Sequence, residues 1–155
     1  MYLALKLIHL AAVVAFLGNI TTGLFWHAHA ARTRDPKLLA FTMDGIIRSD
    51  RLFTVPGVVV IIAAGVPLAI LGRLPLLSTG WIAWTLLLFM VSGVVFMAKV
   101  VPLQRALRRL AEAGAADGRF EYSAYQALAR RWELWGAVAL GAPLLGMGLM
   151  VLKPL

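Results

Sequence analysis

Apolar residues in this chain fall into four long runs, separated by polar connections, instead of alternating every second position. The runs cover about 2–26, 52–71, 81–101 and 134–152. Each is close to the ~20 residues that carry a helix across ~30 Å of hydrocarbon. Inside lipid the backbone has no water to bond to, so each run is expected to be helical. The pattern predicts an all-α integral membrane four-helix bundle, built as a single domain over 1–155. Lys6 and the Ala28-His29-Ala30 triplet give the first run the outline of a signal peptide. Its apolar length far exceeds the roughly 7–15 residues of a signal core, so it reads as a membrane span.

The connections set the orientation. Arg32, Arg34, Lys37, Arg48 and Arg51 lie between spans one and two. Arg105, Arg108, Arg109, Arg119, Arg130 and Arg131 lie between spans three and four, whereas the short middle connection has only Arg73. Basic residues stay in the cytoplasm, which puts both long connections inside and both termini outside (N-out/C-out). Asp35 is a good N-cap with Pro36 at the first helical position. Leu38, Leu39, Met43, Ile46 and Ile47 can share one face, so a short amphipathic helix lying at the interface is expected before span two. Ser49 and Asp50 are then available to cap that span, which contains Pro56, Gly57, Gly65 and Pro67.

Trp81 and Trp84 open span three at an interface. Pro102 is expected to bend it as it leaves the membrane, with LQRALRRLAEA continuing as a headgroup-facing helical tail. Gly114 to Gly118 signals a turn, after which the last helix starts near Tyr122 or Ser123. Ala137-x-x-x-Gly141 and Ala142-x-x-x-Gly146 are spacings that allow close helix approach, within the bundle or between copies in a homo-oligomer.

Composition agrees with the pattern. The apolar share is 61% and the charged share 14%, against about 45–50% and about 25% in soluble domains. A net charge of +8 in so apolar a chain points to anionic lipid headgroups at the cytoplasmic arginine clusters. No stacking aromatics interleave those arginines, so nucleic acid is rejected as a partner. The chain has no cysteine, which excludes disulfides, thiol nucleophiles and cysteine-ligated metals. No serine–histidine–acid set or phosphate-cradling glycine loop is present.

Candidate chemistry concentrates in span one, MYLALKLIHLAAVVAFLGNITTGLFWHAH. An ionisable residue within a span is costly and is a functional candidate by default. At 100° per residue His9, Ala12, Phe16, Ile20, Gly23 and His27 share one face, with Asn19 on its shoulder. His9 and His27 are about five turns, ~27 Å, apart and cannot hold one metal ion from the same helix. A neutral imidazole is a good axial ligand for haem iron, which makes His9 the candidate. The alternative is a histidine hydrogen-bonded to a carbonyl or hydroxyl of another span. His27 and His29 point about 160° apart and are expected to sit solvated among headgroups. Copper would need His9 with the methionines or the N-terminal amine. Lys99 and Glu133 read as interfacial anchors, Glu133 pairing with Arg51 or Arg48.

These residues resemble the HemJ-type membrane proteins, which are linked to protoporphyrinogen oxidation. His9, Gly18 and Trp26-His27 match that family's first helix, and Arg51-Leu52, Pro56 and Gly65 its second. Gly80-Trp81 matches the start of its third helix and the closing Lys153-Pro154 the end of its fourth. The family's functional lysine early in the third helix is replaced by Thr85. Its Asn-Glu-Pro run is replaced by Glu133-Leu134-Trp135. The chain more closely resembles an uncharacterised family of predicted bacterial integral membrane proteins, distantly similar to HemJ and to the CopD copper-resistance proteins. The resemblance implies a place in the bacterial cell (inner) membrane and a haem b or tetrapyrrole site at His9, with Gly18, Asn19, His27, Arg51 and Glu133 in support. Without the lysine it does not imply oxidase activity. The other expectations are a non-enzymatic structural or partner subunit, or CopD-like copper handling.

Overall fold

The structure is a computed structural model and describes residues 1–153. It contains six α-helices: α1 (Tyr2–Ala31), α2 (Pro36–Ser49), α3 (Val55–Leu71), α4 (Gly80–Val95), α5 (Val101–Asp117) and α6 (Tyr122–Leu152). Two π-helical turns, Asp50–Thr54 and Phe96–Val100, join α2 to α3 and α4 to α5. The chain therefore forms four rods, each long and apolar enough to cross a membrane: Tyr2–Ala31, Pro36–Leu71, Gly80–Asp117 and Tyr122–Leu152.

The two middle rods have 36 and 38 residues. At 1.5 Å per residue each exceeds ~50 Å, while the hydrocarbon layer takes only ~30 Å. About half of each rod thus stands outside the apolar layer. The molecule divides accordingly into an apolar half (most of α1, α3, α4 and the end of α6) and a basic half (the end of α1, α2, α5 and the start of α6).

The core lies mostly in the basic half. Leu39 and Met43 of α2, Leu107 and Ala111 of α5, and Tyr125 of α6 are fully buried there. The amphipathic helix expected before span two is present as α2, and its apolar stripe packs on a matching stripe of α5, so the segment after Pro102 also contributes to the core.

The joints differ from expectation. Ser49 and Asp50 do not cap span two, and the helix runs on through Pro102 by way of a π turn. Pro56 and Pro102 each lack an N–H and would crowd the carbonyl four residues back. The chain accommodates each by widening one turn: Val55 N–H donates to the Asp50 carbonyl and Val101 N–H to the Phe96 carbonyl, five residues back. The expected start of α2 is present, with Asp35 accepting from the Lys37 N–H at 2.9 Å and Pro36 in the first turn.

In the apolar half α3 packs on α1 and α4 packs on α6, with no packing between α3 and α4 among the described residues. Glycines make the close approaches. A Cβ on Gly57 would lie 3.4 Å from Phe16 Cβ, and one on Gly146 would lie 3.0 Å from Thr85 Cγ2. Ala142 and Gly146 are buried against α4, whereas Ala137 is exposed and a Cβ on Gly141 would meet nothing. Gly118, at φ +65°, ends α5 in a conformation that favours glycine.

Candidate functional site

The candidate residues lie at three levels along α1, the second and third about 15 Å and about 27 Å from His9 along its axis. Nearest the N-terminus, His9 Nδ1 lies 2.9 Å from the Ile61 carbonyl oxygen of α3. The ring rests on Gly65, where a Cβ would come within 2.9 Å of His9 Cε1. Only the Nδ1–H tautomer can donate to a carbonyl, and it leaves Nε2 with its lone pair. The hydrogen-bonded alternative for His9 is therefore realised at one nitrogen, and the other stays available as a ligand. Thr85 shares its hydroxyl between the carbonyls of Trp81 (2.7 Å) and Gly146 (3.1 Å). It ties α4 to α6 instead of facing His9.

The middle level is a polar centre that sequence reasoning missed. Asp50, in the first π turn, is 7% exposed. Its Oδ1 accepts from Asn19 Nδ2 at 2.9 Å and from the Thr54 hydroxyl at 2.8 Å, and its Oδ2 accepts from Gln104 Nε2 at 2.7 Å. Asn19 Nδ2 also lies 2.9 Å from Thr54 Oγ1. Three neutral donors from α1, the Asp50 turn and α5 thus replace the water a carboxylate would otherwise require. A cavity of about 20 Å³, room for about one water, is lined by Asn19, Asp50, Gln104 and Trp132 among others. The indole Nε1 of Trp132 is buried without a hydrogen-bond partner in the protein.

At the third level His27 is fully buried, which corrects the expectation that it is solvated among headgroups. Tyr125 explains the burial. His27 Nε2 lies 3.0 Å from the Tyr125 hydroxyl, and Trp132 meets the imidazole edge-on at 4.8 Å between centroids. His27 Nδ1 is 3.4 Å from Glu133 Oε1, within ion-pair reach but without hydrogen-bond geometry. Glu133 accordingly faces His27, not Arg51 or Arg48, and Arg48 pairs with Asp44 one turn earlier on α2. A second cavity, of about 110 Å³, opens beside this group.

The remaining candidates stand apart. Gly18 is exposed and a Cβ there would meet nothing within 4 Å. Arg51 is exposed, and among the described residues it forms no ion pair. His29 lies against Phe25 and Trp26 on the exposed side of α1, and Lys99 sits 5.6 Å over the Trp135 ring, as anchors do. Among the described residues no three His, Cys, Asp or Glu side chains converge as a metal site would require. Neither described cavity is lined by His9.

Two sequence signals could have found the missed features. Val-Pro follows both π turns, at Val55-Pro56 and at Val101-Pro102. Asp50 and Thr54 stand four residues apart, one turn of helix, immediately before the first of them.

Comparison with curated proteins and with solved structures gives no match. A family model described as "Predicted integral membrane protein (DUF2269)" matches residues 3–154. That match covers nearly the whole chain and agrees with four rods of membrane-spanning length, so the chain belongs to this family of integral membrane proteins.

Proposed function

We propose that this multi-pass membrane protein binds haem b or a related tetrapyrrole through His9. The observation that carries the reading is the state of the imidazole. Nδ1 is committed to the Ile61 carbonyl, which leaves Nε2 as the lone-pair nitrogen. Metal-bound histidines are held this way, with the second nitrogen donating to a carbonyl or carboxylate that fixes the tautomer and raises ligand basicity. The resemblance of span one to the HemJ-type first helix supports the same residue. The donor fits a single axial ligation, and haem would supply one-electron redox chemistry there.

Asn19 and Glu133 act elsewhere, at the Asp50 centre and beside His27. Neither has a part at His9. Copper handling would rest on His9 with the methionines or the N-terminal amine, since among the described residues no group of three His, Cys, Asp or Glu side chains forms.

One observation favours a second reading, in which the protein is a structural or partner subunit without a chromophore. His9 is seated on Gly65 and bonded to Ile61, so it clamps α1 to α3 whether or not it holds a metal. The absorbance spectrum of the purified protein separates the two. Haem binding predicts a Soret band that His9→Ala removes. A colourless protein whose expression and assembly survive His9→Gln supports the clamp.

A further inference from the structure

The cavity of about 110 Å³ beside His27 is lined by Tyr122, Tyr125, Gln126, Arg130 and Glu133 together with His27 itself. It is separate from the residues at His9. We propose that it binds a zwitterionic amino-phosphate, the headgroup chemistry of phosphatidylethanolamine, with the ammonium on Glu133 and the phosphate on Arg130.

Three observations carry this. First, His27 is a fully buried polar residue of the cavity wall, and its Nδ1, 3.4 Å from Glu133 Oε1, has no hydrogen-bond partner in the protein. Tyr125 has its hydroxyl on Nε2, so Nδ1 is the ring nitrogen left unsatisfied beside Glu133.

Second, the wall carries both charges. Glu133 and the carbonyl end of α1, which terminates at Ala31 on the cavity rim, favour a cation. Arg130 favours an anion, and Arg34, stacked 5.1 Å over the Tyr122 ring, adds positive charge nearby. A purely anionic headgroup would meet the Glu133 carboxylate, and a simple cation would meet Arg130. A molecule bearing an ammonium and a phosphate satisfies both.

Third, the site stands at headgroup depth. Arg130 and Arg131 precede Glu133 on α6, and the apolar span begins at Leu134.

The test is native mass spectrometry of the protein purified in detergent and offered phosphatidylethanolamine, phosphatidylglycerol and phosphatidylcholine in equal amounts. Phosphatidylethanolamine is expected to be retained over both others, since phosphatidylglycerol lacks the ammonium and phosphatidylcholine lacks its N–H donors. Glu133→Gln and Arg130→Gln should each reduce that preference about fivefold, the scale of a partly exposed ion pair. Both residues are partly or fully exposed, so helical content and unfolding midpoint serve as folding controls. Soluble phosphoethanolamine that displaces the lipid shows that the head alone suffices. Failure to displace it, with the preference intact, assigns the site to the bilayer lipid. Equal retention of the three lipids, or a preference unchanged in Glu133→Gln, overturns the proposal. His9→Ala should leave lipid retention unchanged, so loss of a haem site and loss of this site are read separately.

Discussion

His9 Nδ1 lies 2.9 Å from the carbonyl oxygen of Ile61, 52 residues further along the chain, and this bond joins α1 to α3 inside the apolar half. Gly65 makes it possible. It stands one turn beyond Ile61 on α3, and the space a Cβ would take there is filled by the imidazole. The bond and the missing Cβ form one device. Gly65→Ala should push the ring off its seat and cost about 1–3 kcal/mol, as overpacking does. The unfolding midpoint in detergent measures this. Gly18→Ala, where a Cβ meets nothing, is the control and should leave the midpoint unchanged.

Asp50 sets up a second expectation. Asp50→Ala removes the acceptor for Asn19, Thr54 and Gln104 together, and each buried donor left without a partner costs about 1–3 kcal/mol. Asp50→Asn keeps one acceptor oxygen and should fall between Asp50→Ala and the unaltered chain. Chemical unfolding of the three proteins in one detergent gives the order. Equal stability of Asp50→Ala and the unaltered chain would show that the centre holds nothing together.

Much of the fold was legible in the sequence, and the reason is physical. Four apolar runs of spanning length admit one solution in lipid, so the helices follow from the residues alone. The joints were not legible, because Ser49-Asp50 is a good cap pattern and a helix start competes locally with a widened turn. Only the tertiary partners decide: Gln104, 54 positions on, and Asn19, 31 positions back, hold Asp50 within a continuous rod. His27 makes the same point. Helical phase puts His27 and His29 on opposite sides of α1, which alone buries neither. Which of them is buried depends on Tyr125, 98 residues from His27. His9 stands out in the sequence because it is the only histidine well inside an apolar run.

The His27–Tyr125 pair can be tested from both ends. Tyr125→Phe removes one hydroxyl and should cost about 0.5–1.5 kcal/mol, the net worth of a typical hydrogen bond. His27→Ala should cost more, because it leaves the buried Tyr125 hydroxyl without its partner and opens space beside Trp132. Thermal unfolding of each variant settles the order, and a His27→Ala protein more stable than Tyr125→Phe would remove His27 from the core account.

Orientation is open to a clean chemical measurement, because the chain has no cysteine of its own. The distribution of basic residues puts the connection between Leu71 and Gly80 outside and the one between Asp117 and Tyr122 inside. A membrane-impermeant thiol reagent applied to intact cells should label Ser78→Cys and leave Gly118→Cys unlabelled until the cells are opened. Labelling of Gly118→Cys alone in intact cells would invert the topology.

The most direct test of the central claim is the pyridine haemochrome spectrum of the protein purified from haem-replete cells, recorded beside His9→Ala and Gly65→Ala. His9 as axial ligand predicts about one haem b per chain, lost in His9→Ala and diminished in Gly65→Ala, where the imidazole is displaced. A colourless protein, or a haem content that His9→Ala leaves unchanged, contradicts it.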